Sequence, residues 1–256
     1  HGSMQEAIDL WRSALTIAEE VGDRRLESFL LNNLGEALTA VGDRRNAEQC
    51  LLDAESLAHD REDRRVLAEV YRNLGVLLTA ENEVTRAREY LDRSLETARS
   101  MGAQEAVGLA LRGLGELSGQ TLFIDSGSNG DDATSFFKQA IEIFEKIGNE
   151  VELAHTLNAL GTYWLERDEL GEAKATLERA RDIFARLDAP AQERLNETIT
   201  EITEITESIE LASQQEEAED SSTTEDTVPG IPSANAAAMV AKLEGLESPA
   251  DEPSEE

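Results

Sequence analysis

Asn32-Asn33-Leu34-Gly35 is the stretch that decides the fold, because its Leu-Gly pair returns at a regular interval along the chain. The later copies end at Gly75, Gly115 and Gly161, in steps of 40, 40 and 46 residues. Two sets of small residues keep the same interval: Ala7, Ala47, Ala87, Ala133 and Ala173, and Ala14, Ala54, Ser94, Ala140 and Ala180. Self-similarity at such an interval is typical of a protein built from repeated helical units.

Each interval holds two predicted helices, because apolar residues recur at three- and four-residue spacing between short breaks rich in Gly and Asp. In the first unit the helices are 26–40 and 44–58, separated by Val41-Gly42-Asp43 with Asp43 placed to cap the second helix. The remaining predicted helices are 66–80, 84–99, 104–118, 133–147, 151–166 and 169–187. This pattern predicts an all-α solenoid of antiparallel helix hairpins.

The beginning of the chain departs from the repeat. Residues 1–3, with the Met4 that follows, resemble a remnant of cloning, and 4–22 is a half repeat, a second helix without a first. That helix is either an N-terminal cap or the start of a piece taken from a longer protein. The repeats themselves are expected over 23–190, with an insertion at 119–132 that explains the longer step.

The end of the chain also differs. Residues 191–212 carry Leu195, Ile199, Ile202, Ile205 and Ile209 at helical spacing, which predicts a helix that caps the last repeat; the alternative is a coiled-coil seam between two copies. The acidic 213–256 region is poor in large apolar residues and is expected to be a disordered tail. Within it, 235–247 is either plain linker or a short amphipathic helix that docks in a groove.

The composition narrows the choice of partner. The net charge is −31, so neither nucleic acid nor an anionic membrane is an expected partner. Cys50 is the single cysteine, which excludes an internal disulfide and favours a reducing, cytoplasmic location.

Motifs for catalysis or metal binding are weak. His59 and His155 belong to different units, and no motif places a Ser or Cys nucleophile beside them. Part of the insertion matches a calcium loop, but Gly127 and Phe136 stand where ligands are needed. We therefore expect no enzyme activity, no cofactor and no metal.

Each unit resembles a tetratricopeptide repeat. Taking Gly35 as the family's small residue of the first helix, Leu34 precedes it, and Ala47, Leu51 and Ala54 follow at offsets of 12, 16 and 19. The same offsets recur in Gly75, Ala87, Leu91 and Ser94, and in Gly161, Ala173, Leu177 and Ala180. The resemblance covers about 4–187, but the period is 40 rather than about 34, so subfamily and specificity do not transfer.

The resemblance implies a right-handed solenoid and a non-catalytic adaptor that binds a protein or peptide along a concave face made by the first helices. The residues expected there are Asn32, Asn33, Arg72, Asn73, Arg112, His155 and Asn158. Asn side chains can pair with an extended peptide backbone and Arg with carboxylates; alternatively these polar residues only solvate an exposed helix face. A second hypothesis is a self-assembling scaffold in which a copy of the chain covers the face of Ile8 and Trp11, with the tail as an autoregulatory segment.

Overall fold

The computed structural model describes residues 2–121 and 131–187, and also 195–207 apart from 202 and 205. Over these residues the chain forms helices and short turns, without a strand, so it is an all-α helical solenoid. The helices are α1 (Gly2–Val21), α2 (Arg24–Ala40), α3 (Arg44–Asp60), α4 (Arg64–Ala80), α5 (Val84–Met101), α6 (Gln104–Thr121), α7 (Asp131–Ile147), α8 (Glu150–Leu165) and α9 (Leu170–Arg186). The described part of 195–207 is also helical.

The predicted helices are present, with ends shifted by a few residues. Within the insertion expected at 119–132, α6 continues to Thr121 and α7 begins at Asp131. Residues 122–130, the tail at 213–256 and its segment 235–247 lie outside the described residues. The helix expected at 191–212 is described only within 195–207.

In three hairpins the repeating glycine of the first helix meets a leucine of the second helix, and in the α6–α7 hairpin Gly115 meets Phe137. A Cβ added to Gly35 would lie 2.6 Å from Leu51 Cγ and 3.3 Å from the carbonyl oxygen of Ala47. At Gly75 the corresponding distances to Leu91 Cγ and the Ala87 oxygen are 2.5 and 3.4 Å. The repeating glycine therefore makes room for a leucine side chain, while the repeating alanine contributes its backbone to the crossing.

The turns keep the same interval as the helices. Positive φ angles occur between hairpins at Gly22, Glu62, Gly102 and Gly148, and within hairpins at Gly42, Asn82 and Asp168. Asp23 and Asp63 cap α2 and α4 through bonds from the backbone N–H groups of Leu26 and Val66. The capping role expected for Asp43 is wrong in detail: its carboxylate accepts a 2.7 Å bond from the Asn46 side chain and none from the backbone of α3.

The chain divides into two compact units, one with α1–α7 and one with α8, α9 and the helical part of 195–207. In the first unit, hairpins α2–α3, α4–α5 and α6–α7 pack one after another, and α1 packs on α2. Two ion pairs join the second helices of adjacent hairpins, Arg86 to Glu48 at 2.9 Å and Arg93 to Glu55 at 3.1 Å.

Helix α1 turns a different face to solvent than the sequence suggested. Ile8 is only 1% exposed and Trp11 packs on the same core, so the expectation that this face is uncovered is wrong. Leu10, Ile17 and Val21, on another side of α1, are the exposed apolar residues. None of the described helices is both long and apolar enough to cross a membrane.

Candidate functional site

Five of the seven predicted binding residues, all except Asn33 and Asn73, belong to a set of positions that recurs on the first helix of each hairpin. We call it the first-helix stripe; it occupies the positions ten, six and three residues before each Leu-Gly glycine and one residue after it. Its members are Arg25, Phe29, Asn32 and Glu36 on α2; Arg65, Glu69, Arg72 and Val76 on α4; Glu105, Leu109, Arg112 and Glu116 on α6; and Val151, His155, Asn158 and Thr162 on α8. Residues at these spacings share one face of a helix.

A pocket of about 410 Å³ lies between the N-terminal halves of α2 and α4. Its apolar wall is formed by Leu26 and Phe29, which are 42% and 45% exposed, together with the buried Val66. Its polar wall contains Asp23, Arg25, Asp63, Arg65 and Glu69. Large apolar side chains that stay exposed beside converging charges are typical of a binding surface.

Charged side chains of the stripe form ion pairs, one of them with Asp63 just before α4. Arg25 lies 3.5 Å from Asp63, and Arg72 lies 3.3 Å from Glu36; both ion pairs join the α2–α3 hairpin to the adjacent α4–α5 hairpin. Arg65 lies 3.5 Å from Glu69 on the same helix. Burial raises the pKa of the Glu69 carboxyl, and the nearby Arg65 and Arg72 oppose that rise. A charged group of a ligand bound here would therefore have to replace one partner of an existing ion pair.

Two of the predicted asparagines bind each other instead of facing solvent. Asn73 donates from Nδ2 to the Asn32 side-chain oxygen at 2.9 Å, and both residues are buried. Asn33 is half-buried, and the Arg72 and Arg112 side chains are each 18% exposed. Arg112 lies 3.7 Å from Glu116. The structure thus brings Asn33 and Arg72 to the surface of the first unit and uses Asn32 and Asn73 to join α2 to α4.

Comparison with protein-family models finds two matches, both described as tetratricopeptide repeat, at residues 30–65 and 67–101. The chain carries tetratricopeptide repeats. It is also similar to a solved structure titled "Crystal structure of BtubC (BKLC) from P. vanneervenii", at 18% identity and a TM-score of 0.61. That similarity covers 99% of this chain and 96% of the other, and at this identity it concerns the fold alone. No curated protein matches the chain.

The remaining predicted site residues are on α8, in the second unit. His155 is half-buried, and its ring meets that of Phe184 edge-on at 5.3 Å between centroids. Asn158 is 2% exposed, and its side-chain oxygen has no hydrogen-bond partner. It holds the same stripe position as Asn32, whose oxygen is satisfied by Asn73 of the next tetratricopeptide hairpin.

A polar aromatic cluster, which no sequence pattern predicts, lies between α3, α4 and α5. The Arg93 guanidinium stacks 4.0 Å from the centre of the Tyr71 ring, and it bonds the Tyr71 hydroxyl at 2.7 Å and Glu55 at 3.1 Å. His59 Nε2 lies 2.8 Å from the same hydroxyl. Burial raises the pKa of the Tyr71 hydroxyl. Tyr71 is buried, and its hydroxyl has two polar partners, His59 and Arg93.

Cys50, the single cysteine, lies on α3. Burial, and next the charge of Asp53, raise the pKa of the half-buried Cys50 thiol, which makes it less reactive. No group of three or more His, Cys, Asp or Glu side chains arranged to hold a metal occurs among the described residues.

Proposed function

We propose that this tetratricopeptide protein is a non-catalytic adaptor that binds a segment of a protein partner along the first-helix stripe. The observation that carries the proposal is the pocket between α2 and α4, with Leu26 and Phe29 exposed on its wall. Tetratricopeptide repeats generally mediate protein–protein interaction, which agrees with this use of the surface. Membership of a longer bacterial signalling or assembly protein remains part of the same hypothesis.

The chemistry of the pocket suggests the kind of segment that fits. An apolar side chain of the partner would cover Leu26 and Phe29 and remove apolar surface from water, at about 25 cal/mol per Å². The pocket carries three acids, Asp23, Asp63 and Glu69, against two arginines, and the whole chain is acidic. Lys or Arg beside the apolar anchor is therefore favoured over Asp or Glu.

Further along the first helices, the stripe residues Arg72 and Arg112 and the neighbouring Asn33 would contact the polar backbone and side chains of the segment. The two arginines are partly exposed and keep an acidic neighbour each, so a partner carboxylate has to displace Glu36 or Glu116. For Asn32, Asn73 and Asn158 the burial is too deep for direct contact with a partner in this conformation. We therefore base the proposed contact set on Leu26, Phe29, Asn33, Arg72 and Arg112, with His155 as a separate candidate on the second unit.

The test begins with peptides selected against the full chain from a random display library, with affinity measured by fluorescence anisotropy. Phe29→Ser should weaken binding by about tenfold or more, because it removes most of the apolar wall. Val41→Ser is the matched control: Val41 is 39% exposed, close to the value for Phe29, but it does not line the pocket. Circular dichroism checks that both variants keep their helices.

A second pair of variants addresses the charged part of the stripe. Reversal of Arg72 and Arg112 to Glu should change affinity for the same peptides without changing helix content. If neither Phe29→Ser nor the double reversal alters binding, the first-helix stripe is not the binding surface.

A further inference from the structure

The buried side-chain oxygen of Asn158 lacks the partner that the same repeat position has elsewhere in the chain. Asn158 and Asn32 both lie three residues before the glycine of a first helix, and both are 2% exposed. Asn32 accepts a 2.9 Å bond from Asn73, which lies on the first helix of the next hairpin. Among the buried side-chain polar atoms of the described residues, only Asn158 Oδ1 has no hydrogen-bond partner. A polar atom in this state destabilises the arrangement that buries it.

The helical part of 195–207 follows the α8–α9 hairpin, in the place where the next first helix would stand. The repeat interval carries the position of Asn73 along the chain in steps of 40, 40, 46 and 40 residues: Asn33, Asn73, Gly113, Ala159 and Ile199. Ile199 is therefore the residue expected to face Asn158. Ile199 is 6% exposed and Leu195, on the same side, is fully buried, so this side of the helix packs within the second unit. An isoleucine side chain cannot donate a hydrogen bond to the Asn158 oxygen.

The composition of 195–207 gives this helix little stability of its own. Seven of its thirteen residues are Thr or Ile, which are weaker helix formers than Ala, Leu or Glu. The stretch carries four Glu and no Lys or Arg. It shares a unit with α8, which has two Glu in its first turn and no Lys or Arg. Neither helix propensity nor charge favours the helix in this place, so its packing rests on apolar side chains such as Leu195 and Ile199.

We propose that the helix at 195–207 is a displaceable cover, and that the face of α8 beneath it binds a helix of a partner protein. The partner helix is amphipathic and basic, and it carries Asn or Gln where this chain has Ile199. Its amide donates to Asn158 as in the buried asparagine pair of α2 and α4, and its Lys or Arg residues face the acidic first turn of α8. This surface is separate from the pocket between α2 and α4, and it gives the buried Asn158 a role in binding once the cover has moved.

The first measurement is hydrogen exchange of the full chain, followed by mass spectrometry. Amides of 195–207 should exchange at least about tenfold faster than those of α8 and α9, because a displaceable helix opens without the rest of its unit. Asn158→Leu should slow their exchange about tenfold, since it replaces an unsatisfied buried amide by an apolar group of similar size. Asn32→Leu is the matched control: it leaves Asn73 without its partner, so it should speed exchange in α2 and α4 and leave 195–207 unchanged.

The second measurement is the affinity of the full chain for a labelled peptide with the α4 sequence, residues 64–80, followed by fluorescence anisotropy. This peptide is basic and amphipathic, and it contains Asn73. It should bind about tenfold more tightly than the same peptide with Asn73→Leu, and Asn158→Leu in the chain should abolish that difference. Leu195→Ser removes a buried apolar side chain from the cover, so it should strengthen binding of the α4 peptide about tenfold.

Phe29→Ser separates this surface from the pocket between α2 and α4, because it should leave the affinity for the α4 peptide unchanged. The proposal is wrong if 195–207 exchanges as slowly as α8 and α9, or if Asn158→Leu does not slow its exchange. It is also wrong if the α4 peptide fails to bind, binds equally well with Asn73→Leu, or gains nothing from Leu195→Ser. Loss of α4 peptide binding in Phe29→Ser would place the peptide in the pocket and overturn the proposal as well.

Discussion

Glu62 adopts a backbone conformation that L side chains rarely take. Its φ is 54°, while the counterpart turns between the other hairpins have glycine there, at Gly22, Gly102 and Gly148. A non-glycine residue in this region lowers the stability of the folded state by about 1–2 kcal/mol. Glycine avoids this strain, but its greater conformational entropy in the unfolded chain offsets part of the difference. Glu62→Gly should therefore raise the free energy of unfolding by about 0.5–1 kcal/mol in urea titrations.

Gly102→Ala provides the opposite substitution at an equivalent turn. A Cβ added at Gly102 would meet no atom within 4 Å, so any loss of stability reports the backbone conformation and not a clash. We expect a loss of about 1 kcal/mol. Equal stability in both variants would contradict the reading of these turns as strained.

The sequence predicts which helix a residue belongs to, but not always whether its side chain is buried or what it contacts. The sequence predicts that Asn32 and Asn73 line the concave face of the first helices and contact a ligand. They are buried because each is the other's partner between α2 and α4. The repeat interval does not reveal this pairing, since Asn32 lies three residues before its glycine and Asn73 two residues before the next. Asn158 repeats the Asn32 position without the partner, so its burial could not be anticipated either.

Among the helices, the glycine–leucine crossing makes a quantitative prediction. A Cβ on Gly161 would lie 2.6 Å from Leu177 Cγ, whereas one on Gly171, in the same unit, meets no atom within 4 Å. Gly161→Ala should lower the free energy of unfolding by about 1–3 kcal/mol through overpacking between α8 and α9. Gly171→Ala should be neutral or raise it by up to about 1 kcal/mol, since alanine is the better helix former.

Thermal unfolding followed by circular dichroism compares the two variants directly, because both add one methyl group to a helix of the second unit. Similar midpoints for Gly161→Ala and Gly171→Ala would mean that the repeating glycine is not required by helix packing. The same outcome would remove the physical basis for reading the Leu-Gly interval as a fold signal.

Helix number, order and pairing were predictable because the same packing requirement returns in every hairpin. A small residue at one helical position is a weak signal, but its repetition at a fixed interval is a strong one. The offset of 16 residues between Gly75 and Leu91 predicts that these two residues lie in contact. The ends of helices at irregular points were less predictable. Helix α6 continues to Thr121 and α7 begins at Asp131, both inside the predicted insertion. The composition there is rich in Gly and Asp, so it does not indicate where the last helical turn lies. The exposed side of α1 was missed because two of its faces are apolar and only packing on α2 distinguishes them.

The net charge of −31 gives the last prediction, which concerns stability as a function of salt. Repulsion among excess acids opposes the compact state, and salt screens it. The ion pairs between hairpins, such as Arg86 with Glu48, act in the opposite sense, since salt weakens them too. Each such partly exposed pair contributes at most about 1 kcal/mol, so the repulsion of the whole chain should dominate.

The thermal midpoint at pH 7, measured at low protein concentration, should rise by several degrees between about 0.05 M and about 0.5 M NaCl. The same measurement near the isoelectric point of about 4.3 is the control, because there the net charge vanishes and the rise should disappear. A midpoint that falls with salt at pH 7 would mean that the inter-hairpin ion pairs outweigh the repulsion.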